Sequence, residues 1–387
     1  MMITEELERI KSSGLERCLT MIQGPQGPVV RIAGQDVLLL CSNDYLGLAC
    51  HPALKEAAIK AIERYGTGAG ASRLVSGSME PHHALEERIA RFKGSEAALV
   101  FNSGYEANLG LITALARRGS RETDIFSDKA NHASIVDGCI LSMAKVKRYP
   151  TRDVSALETM LKRSSARTKL IITDGIFSMD GAIAPIKEIA SLSDKYDAMF
   201  IVDDAHATGV LGATGRGTLE HAGVAHPSII QMGTFGKALG SFGAYVAGSK
   251  ELVKLLINRA RPFIYSTALP PAVCAASIAA IEIIENEPER RLRLWQNVSS
   301  FKGAAQDAML DTMNSLTQII PIVTGDADRT MRISKALLDK GIFIQGIRPP
   351  TVPHGASRLR VSISAAHDAE VIEKAAYVIK ETCNEFH

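Results

Sequence analysis

Short apolar, β-branched runs alternate with segments of helical periodicity through the middle of the chain, and this alternation constrains the fold more than any other feature. Runs at 98–101, 124–127, 170–173, 198–202, 229–232 and 244–247 read as strands buried on both faces. Between them, segments 83–92, 133–143, 154–163 and 186–195 repeat apolar residues every three or four positions, the spacing of one helix face. Strands separated by helices return to the sheet in the same direction. The pattern therefore predicts an α/β fold with a mainly parallel sheet and helices on both faces. Beyond Arg261 the texture changes. Pro270 and Pro271 precede a long helical stretch to about Leu310 that contains the single tryptophan, Trp295. Strand-like runs at 318–323, 341–347 and 358–363, a helix between the first two and a closing helix from Asp368 predict a small α+β domain. The expected division is an N-terminal segment 1–50, a large domain 51–285 and a small C-terminal domain 286–387. A chain of 387 residues is long enough for two to three domains at roughly 150 residues each.

Charge and cysteine usage narrow the partners. Lys and Arg number 44 against 42 Asp and Glu, a net charge of +2 spread along the chain, so no basic face points to nucleic acid or anionic lipid. Small molecules and other protein chains are the expected partners. Six cysteines lie at wide, irregular spacing without CxxC, which removes a zinc ribbon and a disulfide scaffold. The N-terminal MMITEELERIKSSGLERCL is acidic and amphipathic, unlike a secretory signal. The apolar stretch 272–284 is broken by Glu282 and is too short for a bilayer. A cytoplasmic location is expected.

Chemistry concentrates at the ends of the runs. In MFIVDDAH (199–206), four apolar residues lead to Asp203 and Asp204, at the carboxyl edge where open α/β sheets hold ligands. Consecutive strand residues face opposite sides, so one Asp can enter a site while the other braces the loop. In QMGTFGKALG (231–240) a strand runs into a glycine-rich turn holding Lys237. A lysine desolvated between small residues has a lowered pKa and a free amine able to condense with an aldehyde. Alone, each reads better as a polar strand end or a surface loop lysine. Together at neighbouring strand ends they are the minimum equipment for pyridoxal 5'-phosphate, a lysine for the aldehyde and a carboxylate for the ring nitrogen. A phosphate seat is offered by NSGYEAN (102–108), which follows a strand and opens a helix. Two glycine-rich stretches fail as nucleotide motifs. GTGAG (66–70) follows a helical segment, and 233–237 lacks P-loop spacing.

Nine segments in order, SNDYLGL (42–48), GTGAGASRLVSG (66–77), FNSGYEAN (101–108), NHAS (131–134), DGIFSMDG (174–181), VDDAHATGVLG (202–212), TFGKALG (234–240), RPFIYSTALPPA (261–272) and IRPPTVPHGASRLRVSISAAH (347–367), resemble the α-oxoamine synthases across essentially the whole chain. The resemblance implies the type I pyridoxal-phosphate-dependent transferase fold. It also implies an acyltransferase that condenses an amino acid with an acyl thioester and loses carbon dioxide. RPFIYSTALPPA and IRPPTVP resemble the branch that joins L-alanine to a pimeloyl thioester in biotin synthesis; a glycine-using member is the alternative. A sulfur-transfer enzyme of the same fold would need a mobile cysteine such as Cys274, and a non-enzymatic binding protein would lack the cofactor.

Carried over position by position, the resemblance makes Lys237 the cofactor lysine and the base, sets Asp203 against the ring nitrogen and stacks His132 on the ring. Ser178 and His206 match the ring-hydroxyl side. Gly104, Tyr105 and Thr234 match phosphate contacts, with Ser266 and Thr267 supplied by the neighbouring subunit of a homodimer. Asn43 and Arg360 match the holders of the amino-acid carboxylate, Thr351 a segment that closes over substrate, and Arg17 an arginine that meets the acyl chain. Departures are Asp174 where Glu is usual, Ala182 for Asp, and Ala69 and Ala71 at positions often held by Gly.

Overall fold

The structure is a computed structural model and describes residues 2–116 and 122–386. After an exposed helix, Met2–Ser12, the strands β1 (Val29–Ile32) and β2 (Gln35–Leu39) form an antiparallel hairpin. The central sheet is built from β3 (Ala97–Phe101), β4 (Thr123–Asp128), β5 (Lys145–Tyr149), β6 (Thr168–Asp174), β7 (Met199–Asp203), β8 (Ile230–Thr234) and β9 (Ala244–Gly248). Its order is β3-β9-β8-β7-β6-β4-β5. Five strands from β5 to β8 run parallel, and β9 is antiparallel to both neighbours. The six strands expected in this sheet all form. What the sequence does not signal is β5, KVKRY, whose mostly exposed, basic residues suit a sheet edge and carry no apolar run.

The C-terminal sheet contains β10 (Ile319–Gly325), β12 (Gln345–Ile347) and β13 (Ser357–Ser362), ordered β10-β13-β12. The run at 341–347 is not one strand: β11 (Ile342–Phe343) leaves to pair in parallel with β2. Residues from the expected N-terminal segment thus share a sheet with the C-terminal part. The expected single helix to Leu310 is two, Pro271–Asn286 and Pro288–Asp307. Pro288 lacks the N–H needed to continue the first helix, and the break lies beside the expected boundary at 285. A core of Leu40, Tyr45, Phe92, Phe235, Ile284, Phe301 and Ile320 joins the β-hairpin, the central sheet and the C-terminal part. Among the described residues, no helix is long and apolar enough to cross a membrane.

Candidate active site

The site forms where three adjacent parallel strands end. The register pairs Asp174 with Asp203 and Asp203 with Met232, so the ends of β6, β7 and β8 lie side by side, and the loop after β8 brings Lys237 back over them. Facing them is the start of the helix Gly104–Leu115, where Ser103 Oγ accepts from Glu106 N at 3.2 Å. His132 caps the helix Ala133–Ser142. Gly104, Tyr105, His132, Ser178, Asp203, His206, Thr234 and Lys237 line one cavity of about 230 Å³.

Asp203 is held from two sides. Its Oδ1 accepts from Ala205 N at 2.9 Å and its Oδ2 from Asn108 Nδ2 at 2.8 Å. Asp204 turns the other way into a buried ion pair with Lys93 at 3.0 Å, the division of labour expected of alternating strand residues. Burial pushes the Asp174 carboxyl well above the usual range, and the neighbouring Asp203 charge adds to the rise. Its Oδ2 accepts from His132 N at 3.0 Å. Burial lowers Lys237 to about 8, a drop that outweighs the attraction of Asp203 and Asp174. His206 is held well below its ordinary value by burial and then by Lys237. Burial also lowers His132.

A group with a phosphate, an aldehyde and a basic ring nitrogen fits these residues. Thr234 Oγ1 is buried without a partner, beside the N-terminal end of a helix, where backbone N–H groups favour an anion. Only glycine fits at position 104, since a Cβ there would lie 2.7 Å from Thr234 Cγ2. Gly104→Ala is expected to crowd that seat at a cost of about 1–3 kcal/mol, weakening pyridoxal phosphate binding roughly 5- to 150-fold. Fluorescence titration of apoprotein would check this. The lowered Lys237 pKa sets a second expectation. Below about 8 the neutral, reactive amine is the minor form, so cofactor uptake by apoprotein should speed up about tenfold per pH unit and level off above that pH. Stopped-flow absorbance tests it; a rate still climbing at pH 10 would mean an ordinary lysine.

Other residues singled out by the sequence lie elsewhere in the chain. Beside the cavity, half-buried Asn43 meets buried Arg360, Asn43 Oδ1 accepting from Arg360 Nη1 at 3.3 Å and Nη2 at 3.2 Å. Arg360 Nε also donates to Ser178 O at 2.6 Å. Ser266 and Thr267 line a separate small cavity with Asn102, whose Nδ2 donates to Thr267 O at 2.9 Å. Arg17 and Thr351 are exposed and flank Arg348, which donates to Glu16 O at 2.6 Å and accepts from Thr351 N at 3.1 Å. Neither lines the Lys237 cavity. Cys274 is fully buried and its thiol is pushed up to about 12, which leaves no thiolate for sulfur transfer. Sequence reasoning missed Asn108 and Tyr45. Asn108 stands one helical turn past Gly104 in FNSGYEAN, on the same face, which was a usable signal. Tyr45, followed by Leu46 and Leu48, looks like core.

The chain matches the model of the family described as aminotransferase class I and II over residues 35–379. It is 55% identical over 376 residues to the 8-amino-7-oxononanoate synthase of Geobacter sulfurreducens, covering 96% of this chain and 95% of that protein. The Anaeromyxobacter dehalogenans protein of the same name is 50% identical, with 96% and 92% covered. Among solved structures, serine palmitoyltransferase from S. paucimobilis with a bound PLP–myriocin adduct superposes with a TM-score of 0.92 at 30% identity, over 99% of this chain and 97% of that one. The 8-amino-7-oxononanoate synthase of Francisella tularensis gives 0.78 at 29% identity, over 90% and 98%.

Proposed function

The chain belongs to the class I and II aminotransferase family and, within it, to the α-oxoamine synthases, most like 8-amino-7-oxononanoate synthase, and on that premise we propose that it joins L-alanine to a pimeloyl thioester with loss of carbon dioxide. The product is 8-amino-7-oxononanoate, a step of biotin biosynthesis. The observation that carries the reading in this chain is the desolvated Lys237 amine in one cavity with Asp203 and the unpartnered Thr234 Oγ1.

Pyridoxal phosphate, when bound, supplies an electron sink for negative charge at the amino-acid Cα. In this reading Lys237 Nζ holds the cofactor aldehyde, Asp203 keeps a proton on the ring nitrogen, and Gly104, Tyr105 and Thr234 seat the phosphate. His132 would pack against the ring, and Ser178 and His206 would bond its hydroxyl side. Asn43 and Arg360 take the carboxylate of alanine, the guanidinium as a two-pronged donor. As a free amine, Lys237 Nζ would remove the Cα proton of alanine as general base. The Cα electron pair would then form the bond to the thioester carbonyl carbon, the C–S bond would break, and the thiolate would leave and take a proton from solvent. After carbon dioxide is lost, Lys237 returns a proton to Cα. Mass spectrometry of products from alanine and glycine, each with pimeloyl-CoA and pimeloyl carrier protein, tests the assignment; a glycine-only product would overturn the choice of amino acid.

We extend the proposal to a homodimer with shared sites, acting in the cytoplasm. Ser266 and Thr267 stand apart from the Lys237 cavity of their own chain, and Leu74, Val75 and Tyr265, sequence neighbours of the bridged Ser72 and Thr267, are exposed apolar residues. Mixing a Lys237→Ala chain with a Ser266→Ala, Thr267→Ala chain should restore activity above both parents, because one site of the mixed dimer regains every group. Full activity at a monomeric mass would rule the shared site out.

A further inference from the structure

A chain of polar contacts, half-buried at Asn43 and buried at Tyr45 and His206, leads from the expected carboxylate holders to the amine of Lys237, and its centre is Tyr45. This tyrosine is fully buried and stands outside the roles assigned above. Its Oη lies 2.7 Å from His206 Nδ1 and 3.0 Å from Asn43 Oδ1; the amide oxygen can only accept, whereas Nδ1 accepts in one imidazole tautomer and donates in the other. The other face of the imidazole puts Nε2 at 3.2 Å from Lys237 Nζ. We propose that Tyr45 is a positioning residue that fixes the tautomer of His206, keeping the ring proton on Nε2, where it is presented to the cavity beside Lys237.

Counting donors and acceptors decides the direction. Asn43 Oδ1 already accepts two N–H bonds from Arg360, which uses both lone pairs of a carbonyl oxygen. Arg360 Nη2 also approaches Tyr45 Oη at 3.4 Å, and a guanidinium can only donate. The tyrosine proton is therefore left for His206 Nδ1, at the shorter of its two distances. Burial raises the Tyr45 pKa, so the hydroxyl keeps that proton at neutral pH. A neutral imidazole that accepts at Nδ1 carries its proton on Nε2. An N–H aimed at Lys237 meets the lone pair of the free amine and repels the ammonium form, in line with the lowered Lys237 pKa. Through Arg360 the same chain reaches the group that would hold the substrate carboxylate. Substrate at one end and the proton position at the other thus share Tyr45.

The inference rests on the reading of this cavity as the cofactor and amino-acid site, yet its test does not need turnover. Holoenzyme labelled with 15N-histidine, with the His206 signals identified by their loss in His206→Gln, should give a protonated Nε2, the nitrogen correlated to both carbon-bound ring protons, and an unprotonated Nδ1. A hydroxyl proton correlated to Nδ1 should also appear. In Tyr45→Phe, which keeps the ring in the core, that hydroxyl signal should vanish and the ring proton should move wholly or partly to Nδ1. A wild-type spectrum with Nδ1 protonated would overturn the proposal, as would an unchanged tautomer in folded Tyr45→Phe. If the phenylalanine variant does not fold, the wild-type hydroxyl correlation decides alone: its presence supports the assignment and its absence refutes it. Failure to form 8-amino-7-oxononanoate beside the expected spectrum would instead fault the functional reading.

Discussion

Lys237→Ala should lose turnover on the order of 10⁴-fold, the upper end of what one positioned proton-transfer group contributes, and lose the visible absorbance band of a pyridoxal-phosphate protein. On the proposed reading both losses share a cause, since one amine would hold the cofactor and move the Cα proton. The fold should survive. Among the described residues, the side-chain hydrogen bond of Lys237 is the 3.2 Å contact with His206 Nε2, and burial already works against the charged amine, so removing it relieves a desolvation cost. Circular dichroism and thermal unfolding would establish the fold, and mass spectrometry of the product the activity. Turnover near that of the unaltered protein would refute the role of Lys237.

Asp203→Asn should separate binding from chemistry. The carboxylate is buried, and replacing it by an amide removes the charge proposed to hold the ring proton. Breaking a buried charge pair costs about 3–5 kcal/mol, so Cα deprotonation should slow by roughly 10²- to 10⁴-fold. Cofactor should remain, because Lys237 and the phosphate seat are untouched. The local hydrogen bonds can adapt: the new Oδ1 can still accept from Ala205 N. Asn108 can turn its unpartnered Oδ1 toward the new amide, at the expense of its bond to Ser134 Oγ. Deuterium exchange at the Cα of alanine, followed without thioester, isolates the step. An unchanged exchange rate would remove Asp203 from the ring nitrogen.

Legibility in the sequence followed burial. Strands β6, β7 and β8, covered on both faces, announce themselves as apolar runs ending in polar residues, and those ends are where Asp174, Asp203 and Thr234 stand. Strand β5 has no such run because its residues are mostly exposed. The start of the helix at Gly104 was readable for the same local reason: a strand, a serine cap and a glycine follow one another within residues 97–104. The division of the region after Pro270 into two helices hinged on Pro288, a signal that is also local but was masked by apolar periodicity on both sides.

The sequence by itself determined the α/β alternation, the polar strand ends and the helix start that offers an anion seat, since each depends on residues close along the chain. Tertiary structure decided what meets. The register of β6 against β7 puts Asp174 beside Asp203, and burial then raises the carboxyl pKa of Asp174. Tyr45 and His206 are 161 positions apart and touch at 2.7 Å; Asn43 and Arg360 are 317 apart and share a hydrogen bond. Lysine 237 acquires its lowered pKa only when the folded chain removes its water. Desolvation and long-range pairing belong to the packed chain, and no spacing along the sequence encodes them.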